Sequence, residues 1–151
     1  MYGAKEVVRN SLKLVEAAFD GELDEIIEWI DKGFSIDSVD ARKHSALSEA
    51  ACQGHIETVR YLVEQGSNPN LLNDVGRSAL WRASFGGHHE VVEFLLNSGA
   101  DPTYRDKVSM DCPIDVAKTD EVKDLLVSFE LFLRCTSLYL IVCLCYRQHG
   151  M

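Results

Sequence analysis

Cysteine and histidine are the residues of this chain whose types could support metal binding or catalysis. Cys143, Cys145 and His149 lie close together near the C-terminus and offer the sulfur and nitrogen ligands that zinc prefers. Their spacing lacks the paired Cys-x-x-Cys arrangement of a zinc knuckle, so the sequence does not favour a metal site. No glycine loop follows a strand-like run, no His-Glu-x-x-His pair occurs, and no Ser, His and Asp set stands out. We therefore expect neither enzymatic activity nor a bound cofactor.

The five cysteines predict a reducing compartment rather than a disulfide framework. Their number is odd, and Cys52 and Cys112 lie far along the chain from Cys135, Cys143 and Cys145. The residues before the first unit do not follow the pattern of a signal peptide, so we expect none there. We therefore expect a cytoplasmic protein, with the nucleus as the alternative, and we consider acylation of Cys143 or Cys145 as a hypothesis for the C-terminal segment.

Charge is unevenly distributed along the chain, whose net charge is −9. Residues 1–41 hold ten acidic and four basic residues, whereas residues 42–151 hold fourteen acidic and eleven basic ones. The acidic side chains cluster in one stretch: Asp20, Glu22, Asp24, Glu25, Glu28 and Asp31. We interpret this stretch as the solvated face of a terminal unit, with a docking site for a basic partner as the alternative. The acidic balance and the lack of a basic stripe argue against nucleic acid as a partner.

A repeat of 33 residues organises most of the chain. Two sets of glycines follow it: Gly21, Gly54 and Gly87, and Gly33, Gly66 and Gly99. Apolar residues fall into columns at the same interval: Leu14, Leu47 and Leu80; Ala17, Ala50 and Ala83; Ile26, Val59 and Val92; Trp29, Leu62 and Leu95. A polar column contains Asp40, Asn73 and Asp106. Self-similarity at a fixed period of this length is the signature of a repeat protein.

Each unit of the repeat is predicted to form two short helices followed by a loop. In residues 45–53 and again in residues 56–65, apolar side chains recur at helical spacing. Ser45 and Ser78 stand where an N-cap hydroxyl would accept a hydrogen bond from a free backbone amide. Gly54 stands where a left-handed residue commonly ends a helix. The loop after the second helix is rich in Pro, Asn, Asp and Gly, which form turns.

The residues from Ser45 to Asn70 resemble an ankyrin repeat, and those from Ser78 to Thr103 resemble a second one. The clearest parts of the second are Gly87-His-His-Glu-Val-Val92 and Ser98-Gly-Ala-Asp-Pro102. The resemblance implies an all-α solenoid of helix-turn-helix units joined by β-hairpin-like loops.

The resemblance also implies how the chain is divided. Residues 10–41 resemble an N-terminal capping repeat, and residues 109–129 a shortened last repeat. The expected division is an N-terminal extension over 1–9, an ankyrin domain over 10–130 with units at about 10–41, 42–75, 76–108 and 109–130, and an apolar tail over 131–151.

The chain departs from the family at the start of each first helix. The family's Thr-Pro-Leu-His motif reads Ser45-Ala-Leu-Ser48, Ser78-Ala-Leu-Trp81 and Cys112-Pro-Ile-Asp115. In the family this motif ties neighbouring repeats together by hydrogen bonds. Losing its histidine calls the stability of the contact between neighbouring units into question.

The resemblance implies a non-catalytic module or scaffold that binds protein partners with its hairpin tips and the exposed face of each first helix. These positions, with the aromatic and arginine residues beside them, give the candidates for partner contact: Arg42, His44, Gln53, Asp74, Arg77, Trp81, Arg82, Phe85, Tyr104 and Arg105. Trp81 and Phe85 are four residues apart on one predicted helix, with Arg82 beside them, and aromatic and arginine residues dominate binding hot spots. The alternative interpretation is packing between units, because Phe85 aligns with Phe19 and Cys52. We expect a monomer whose partner is a protein.

Asn70 carries a narrower hypothesis. It occupies the asparagine at the family's hairpin end, eight residues after Leu62. In the family this position resembles the target of an asparaginyl hydroxylase. Pro69 departs from the aliphatic residue that usually precedes it, and hydroxylation of Asn70 is therefore a secondary hypothesis.

The tail, residues 131–151, breaks the repeat pattern and is apolar. Its uncharged run over 135–146 is 12 residues long, against the about 20 that a helix needs to span a bilayer. Three interpretations are open: a segment that folds back over the last repeat, a membrane-associated segment aided by acylation, or a terminus created when a longer reading frame is cut or spliced short. We favour the third, and a membrane-associated adaptor anchored by the tail is the alternative function.

Overall fold

The computed structural model of the protein describes the backbone of residues 4–133 and the side chains of residues 12–133. The helices, in chain order, are α1 (Ala4–Asp20), α2 (Leu23–Asp31), α3 (Ala46–Gln53), α4 (Ile56–Glu64), α5 (Ala79–Gly86), α6 (His89–Asn97) and α7 (120–133). Across this described part, β-type pairing is limited to an isolated antiparallel bridge between Val39 and Ser45. The expected all-α repeat fold is confirmed.

The first helices of the middle units begin at the serines that the sequence indicates. The Ser45 hydroxyl oxygen accepts a hydrogen bond from the Ser48 amide at 3.2 Å, and that of Ser78 accepts one from the Trp81 amide at the same distance. Both serines have extended backbone, as N-cap residues do. Serine therefore takes over the start of these helices from the family's threonine.

Gly54 ends α3 and also makes room for the neighbouring unit. Its φ of +83° lies in the left-handed region, which side-chain-bearing residues rarely adopt. A Cβ atom placed on Gly54 would lie 2.5 Å from Nδ1 of His88. His88 is fixed there because its Nε2 donates to the Cys52 carbonyl at 2.9 Å. Two columns of the repeat therefore form one contact between units.

Two layers of helices enclose one apolar core. In the layer of first helices α1 packs against α3 and α3 packs against α5, and in the second layer α4 contacts α6. The aligned apolar columns lie between the layers, and the following residues are at most 1% exposed: Leu14, Ile26, Leu47, Val59, Leu62, Leu80, Val92 and Leu95. Burying each such side chain contributes about 1.5–3 kcal/mol. Neighbouring units therefore stabilise one another.

The polar column closes the hairpin loops. Oδ1 of Asn73 accepts hydrogen bonds from the amides of Val75 and Arg77 at 3.2 and 2.9 Å. Asp40 and Asp106 accept equivalent bonds from amides of their own loops. Each loop thus satisfies its own backbone through one side chain, which explains why this column carries Asp or Asn.

Backbone hydrogen bonds also join consecutive loops. The Asp74 amide donates to the Arg42 carbonyl at 3.1 Å, and the Lys107 amide donates to the Val75 carbonyl at 2.8 Å. These bonds link the loops of three successive units. The hairpin tips are therefore positioned relative to one another by main-chain contacts.

The last unit departs from the expected helix-turn-helix plan. Residues 113–116 form turns where the resemblance predicts a first helix. The Asp115 carboxylate accepts hydrogen bonds from the amide and the thiol of Cys112, both at 3.0 Å, and such local bonding competes with a helix. Three residues separate these turns from α7, which leaves no room for a helix as long as the eight-residue α3. Val122 and Leu126 on α7 are buried and continue the core.

The first unit is longer than expected. Helix α1 has 17 residues, against eight in α3 and in α5. It begins at Ala4, inside the stretch 1–9 that the sequence analysis treats as an extension. Residues 4–9 thus continue the first helix of the first unit.

Candidate partner-binding surface

Trp81 is a contact between units as well as a candidate for binding. Its side chain is 5% exposed, and its indole Nε1 donates to the Asp111 carbonyl of the following loop at 3.2 Å. The Arg77 guanidinium lies 4.2 Å from the centre of its ring. Trp81 therefore replaces the family's histidine with another donor that reaches the next unit, and its ring is covered by Arg77.

Phe85 is the exposed member of the aromatic pair. It is 60% exposed, and its ring is stacked on that of Trp81, with centroids 5.5 Å apart and an angle of 10° between the ring planes. Phe19, one column partner, is also exposed, and Cys52, the other, is half-buried. The packing interpretation thus describes Trp81, whereas Phe85 presents its ring to solvent.

Arg82 is bound into a network that crosses between units. Its Nη2 donates to Oε2 of Glu49 at 2.8 Å, and Oε1 of the same carboxylate lies 3.0 Å from Nδ1 of His44. His44 also lies 3.3 Å from the Asp40 carboxylate. The Arg82 and Glu49 side chains are 14% and 8% exposed. Both charges are largely removed from water, so the pair depends on its geometry for net stabilisation.

Arg77 is held by a buried carboxylate. Its Nε and Nη2 donate to Oδ2 of Asp106 at 3.1 and 3.0 Å, and Asp106 is fully buried. Hydrogen bonds from the Ser109 and Val108 amides and from Arg77 lower the pKa of Asp106 to about 2. The carboxylate therefore remains ionised, and it fixes the Arg77 guanidinium over Trp81.

A groove of about 480 Å³ lies between the first two hairpin loops and α5. Its lining includes Arg42, His44, Asp74, Arg77 and Arg82. A second groove, of about 340 Å³, shares part of this lining and extends to two exposed apolar side chains of α1, Leu12 and Phe19. We use the term hairpin face for the surface formed by Arg42, His44, Asp74, Arg77, Arg82 and Phe85.

The remaining candidates lie at the edges of this surface. Arg105 donates to the Met110 carbonyl at 2.8 Å and lies 3.6 Å from the Asp115 carboxylate. Arg105 therefore stabilises the loop that Trp81 also contacts, since Trp81 donates to the carbonyl of the following residue, Asp111. Tyr104 is half-buried, and Gln53 is exposed at the end of α3. The structure thus brings six of the ten predicted residues together on the hairpin face and leaves these three and the covered Trp81 beside it.

Asn70 joins two units through both ends of its side-chain amide. Its Nδ2 donates to the Gly99 carbonyl at 3.0 Å, and its Oδ1 accepts a hydrogen bond from the Asp101 amide at 2.8 Å. The side chain is half-buried. Hydroxylation of Asn70 stays a prediction, on a residue that already has a structural role.

Glu49 and the tip of the third hairpin are additions to the residues predicted from the sequence. Glu49 and Arg82 are opposite charges 33 residues apart, so they occupy the same column, and this signal could have revealed their contact. Val108 and Met110 are 75% and 59% exposed on the third loop. Their exposure depends on the local backbone, including a left-handed φ of +64° at Met110, which no periodic pattern predicts.

The described residues contain neither a cluster of metal ligands nor a helix that could span a membrane. Over residues 12–133, no group of three or more potential ligand side chains is arranged to hold a metal ion. None of the helices described here combines the length and the hydropathy needed to cross a bilayer. Cys143, Cys145 and His149, and all but the first three residues of the predicted tail, lie outside the described residues, so the acylation and tail interpretations stay predictions.

Comparison with known proteins supports the repeat at the level of the family. No curated protein matches the chain. The family model described as ankyrin repeats, in three copies, matches residues 14–106. This match covers more than half of the chain and coincides with α1 to α6 and the hairpin loops between them. Ankyrin repeats are generally protein-interaction modules, and typically non-catalytic ones. The protein belongs to the ankyrin-repeat family.

Proposed function

We propose that this protein is a non-catalytic binding module or scaffold that holds a protein partner on its hairpin face. The observation that carries the proposal is the exposed ring of Phe85, which stacks on Trp81, together with Arg77, which covers Trp81 and lines the groove. A few residues supply most of the binding free energy at a protein interface, and aromatic and arginine residues are enriched among them. The proposal extends to a monomer in the cytoplasm, for which the support is the sequence alone.

A second argument for the proposal is that other side chains of the protein hold the residues of the hairpin face in place. Trp81 stacks against Phe85, and Asp106 fixes Arg77 over the Trp81 ring. Arg82 is fixed by Glu49. Side chains positioned before binding lose less conformational entropy when a partner arrives, so a preorganised surface binds more tightly than a flexible one.

The test is affinity capture from cell lysate by the full chain, compared with its Phe85→Ser variant. Phe132→Ser is the matched control, because Phe132 on α7 is 62% exposed and Phe85 is 60% exposed. We expect a partner that native protein and Phe132→Ser retain and that Phe85→Ser loses, with all three proteins folded by circular dichroism. Retention of every captured protein by Phe85→Ser would contradict the proposal.

A further inference from the structure

We propose that the segment bound on the hairpin face is an extended, acidic stretch of a partner protein. This inference rests on the proposed function and specifies the chemistry of the partner. Its basis is the separation of charge within a strongly acidic chain. The hairpin loops, residues 39–45, 72–78 and 105–111, contain five basic and four acidic residues, for a net charge of +1. The rest of the chain contains ten basic and twenty acidic residues, for a net charge of −10.

Two of the four acidic side chains of these loops, Asp40 and Asp106, are engaged within the protein. Asp40 accepts hydrogen bonds from the amides of Arg42 and His44, and its other oxygen faces the His44 ring. Asp106 is fully buried and is engaged by Arg77 and by loop amides. The hairpin face therefore presents less negative charge than its composition suggests.

One basic side chain of the hairpin face, that of Arg42, is free to meet a ligand, whereas Arg77 and Arg82 are already paired with Asp106 and Glu49. The Arg42 side chain is exposed and forms no hydrogen bond or ion pair with any described residue. The Arg82 guanidinium is engaged by Glu49 through Nη2 and its side chain is 14% exposed, so it forms part of the groove wall. Among the described residues lining the larger groove, the one carboxylate is that of Asp74, and Arg42 lies there without the carboxylate partner that Arg77 and Arg82 have.

A carboxylate is the group that matches this arrangement. Arginine binds carboxylates through paired N–H donors, and such charge-assisted bonds are stronger than neutral ones. The exposed apolar side chains of Phe85 on α5 and of Val108 and Met110 on the third loop suit an apolar residue within the same segment. In an extended segment, residues i and i+2 face the same side, so an acidic and an apolar residue two positions apart can both meet one surface.

The net charge of the chain favours a short acidic segment over a nucleic acid. At about 0.1 M salt, fields are screened beyond about 10 Å. A segment lying on the loops therefore meets mainly the local positive charge. A nucleic acid is a much longer polyanion, and it would extend over surfaces that belong to the −10 part of the chain.

The test is selection from a display library of random twelve-residue peptides on the immobilised full chain. We expect the selected peptides to be enriched in Asp and Glu. For the most enriched peptide, labelled with fluorescein, we expect Arg42→Glu to raise Kd at least about tenfold and Arg42→Gln to raise it less. Arg42 holds the neighbouring loop through its backbone alone, so both variants keep the described side-chain contacts.

Lys123→Glu is the control for charge, since Lys123 is exposed on α7 and its variant changes the net charge equally. It should leave Kd unchanged. Selected peptides without acidic enrichment, or an unchanged Kd for Arg42→Glu, would overturn the inference. If selected peptides without acidic enrichment bind the native chain but not the Phe85→Ser variant, the proposed function stands and the acidic preference fails. A selection that returns no binding peptide contradicts both.

Discussion

Helix α5 contributes one aromatic residue to the contacts between units and another to the hairpin face, and the two differ in exposure. Trp81 donates a hydrogen bond to the loop of the next unit and is 5% exposed, whereas Phe85, about one turn later, is 60% exposed. Trp81 takes part in the contacts that stabilise the stack of units. Phe85 is held in place by those contacts and contributes little to the stability of the stack. Two aromatic residues on one side of a helix can therefore have separate roles, and variants of the two regions should separate stability from binding.

The largest expected effect on stability is at the contact between Gly54 and His88. In Gly54→Ala, the new Cβ would lie 2.5 Å from the His88 ring, and the φ of +83° would be strained. Because moving the ring breaks its hydrogen bond to the Cys52 carbonyl, we expect a loss of about 3 kcal/mol in the free energy of unfolding. Urea denaturation followed by circular dichroism measures it.

Gly66→Ala is the matched control for backbone strain. Gly66 has a φ of +93°, but nothing lies within 4 Å of the Cβ that alanine would add. We expect about 1–2 kcal/mol, from the left-handed conformation alone. If Gly54→Ala and Gly66→Ala lose the same free energy of unfolding, the clash with His88 adds nothing to the effect of backbone strain.

The next largest effect is expected from the carboxylate that Arg82 and His44 share. Glu49→Gln keeps the shape of the side chain but removes the anionic partner of a guanidinium that is 14% exposed. We expect a loss of about 2 kcal/mol in the free energy of unfolding, because an uncompensated charge stays largely buried. Glu93→Gln, at an exposed position of α6, should change it by less than about 0.5 kcal/mol. A Glu49→Gln protein as stable as the native chain would rule out this role.

Trp81→Phe should have a smaller effect and should distinguish the two regions. The variant removes the indole donor to the Asp111 carbonyl but keeps an aromatic ring next to Phe85. We expect a loss of about 1 kcal/mol in the free energy of unfolding and full retention of the captured partner. Loss of the partner by a folded Trp81→Phe protein would mean that Trp81 itself forms the binding surface.

The smallest effect on stability is expected at Phe85. Its ring is mostly in water and its stacking on Trp81 is partly solvated, so Phe85→Ser should lower the free energy of unfolding by only about 0.5 kcal/mol. Thermal unfolding beside the native chain measures this. A large destabilisation would assign Phe85 to the contacts between units instead.

Much of the fold could be predicted from the sequence because the repeat fixes it. The 33-residue period identified the buried columns, and Ser45 and Ser78 marked the starts of α3 and α5. The last unit could not be predicted in the same way. There the turn closed by Asp115 replaces a helix, and the choice depends on local hydrogen bonds that the periodic pattern does not contain.

The surface was less predictable than the core. Burial of Trp81 depends on where the third loop places the Asp111 carbonyl, and that loop includes a left-handed Met110. Val15, the equivalent residue of the first unit, is also buried, and its apolar side chain in the same column indicates burial of Trp81. Opposite charges in one column indicate the contact between Arg82 and Glu49, although the sequence analysis considers Arg82 only as a candidate for partner contact.

The central claim is that a partner binds on the hairpin face, and photo-crosslinking tests it most directly. Phe85 is replaced by benzoylphenylalanine in the full chain, and Phe132, equally exposed on α7, is replaced in a separate sample. Both proteins are illuminated in cell lysate, and the adducts are identified by mass spectrometry. We predict a specific protein adduct from position 85 that is absent from position 132. Adducts that form equally at both positions, or from position 132 alone, would contradict the claim.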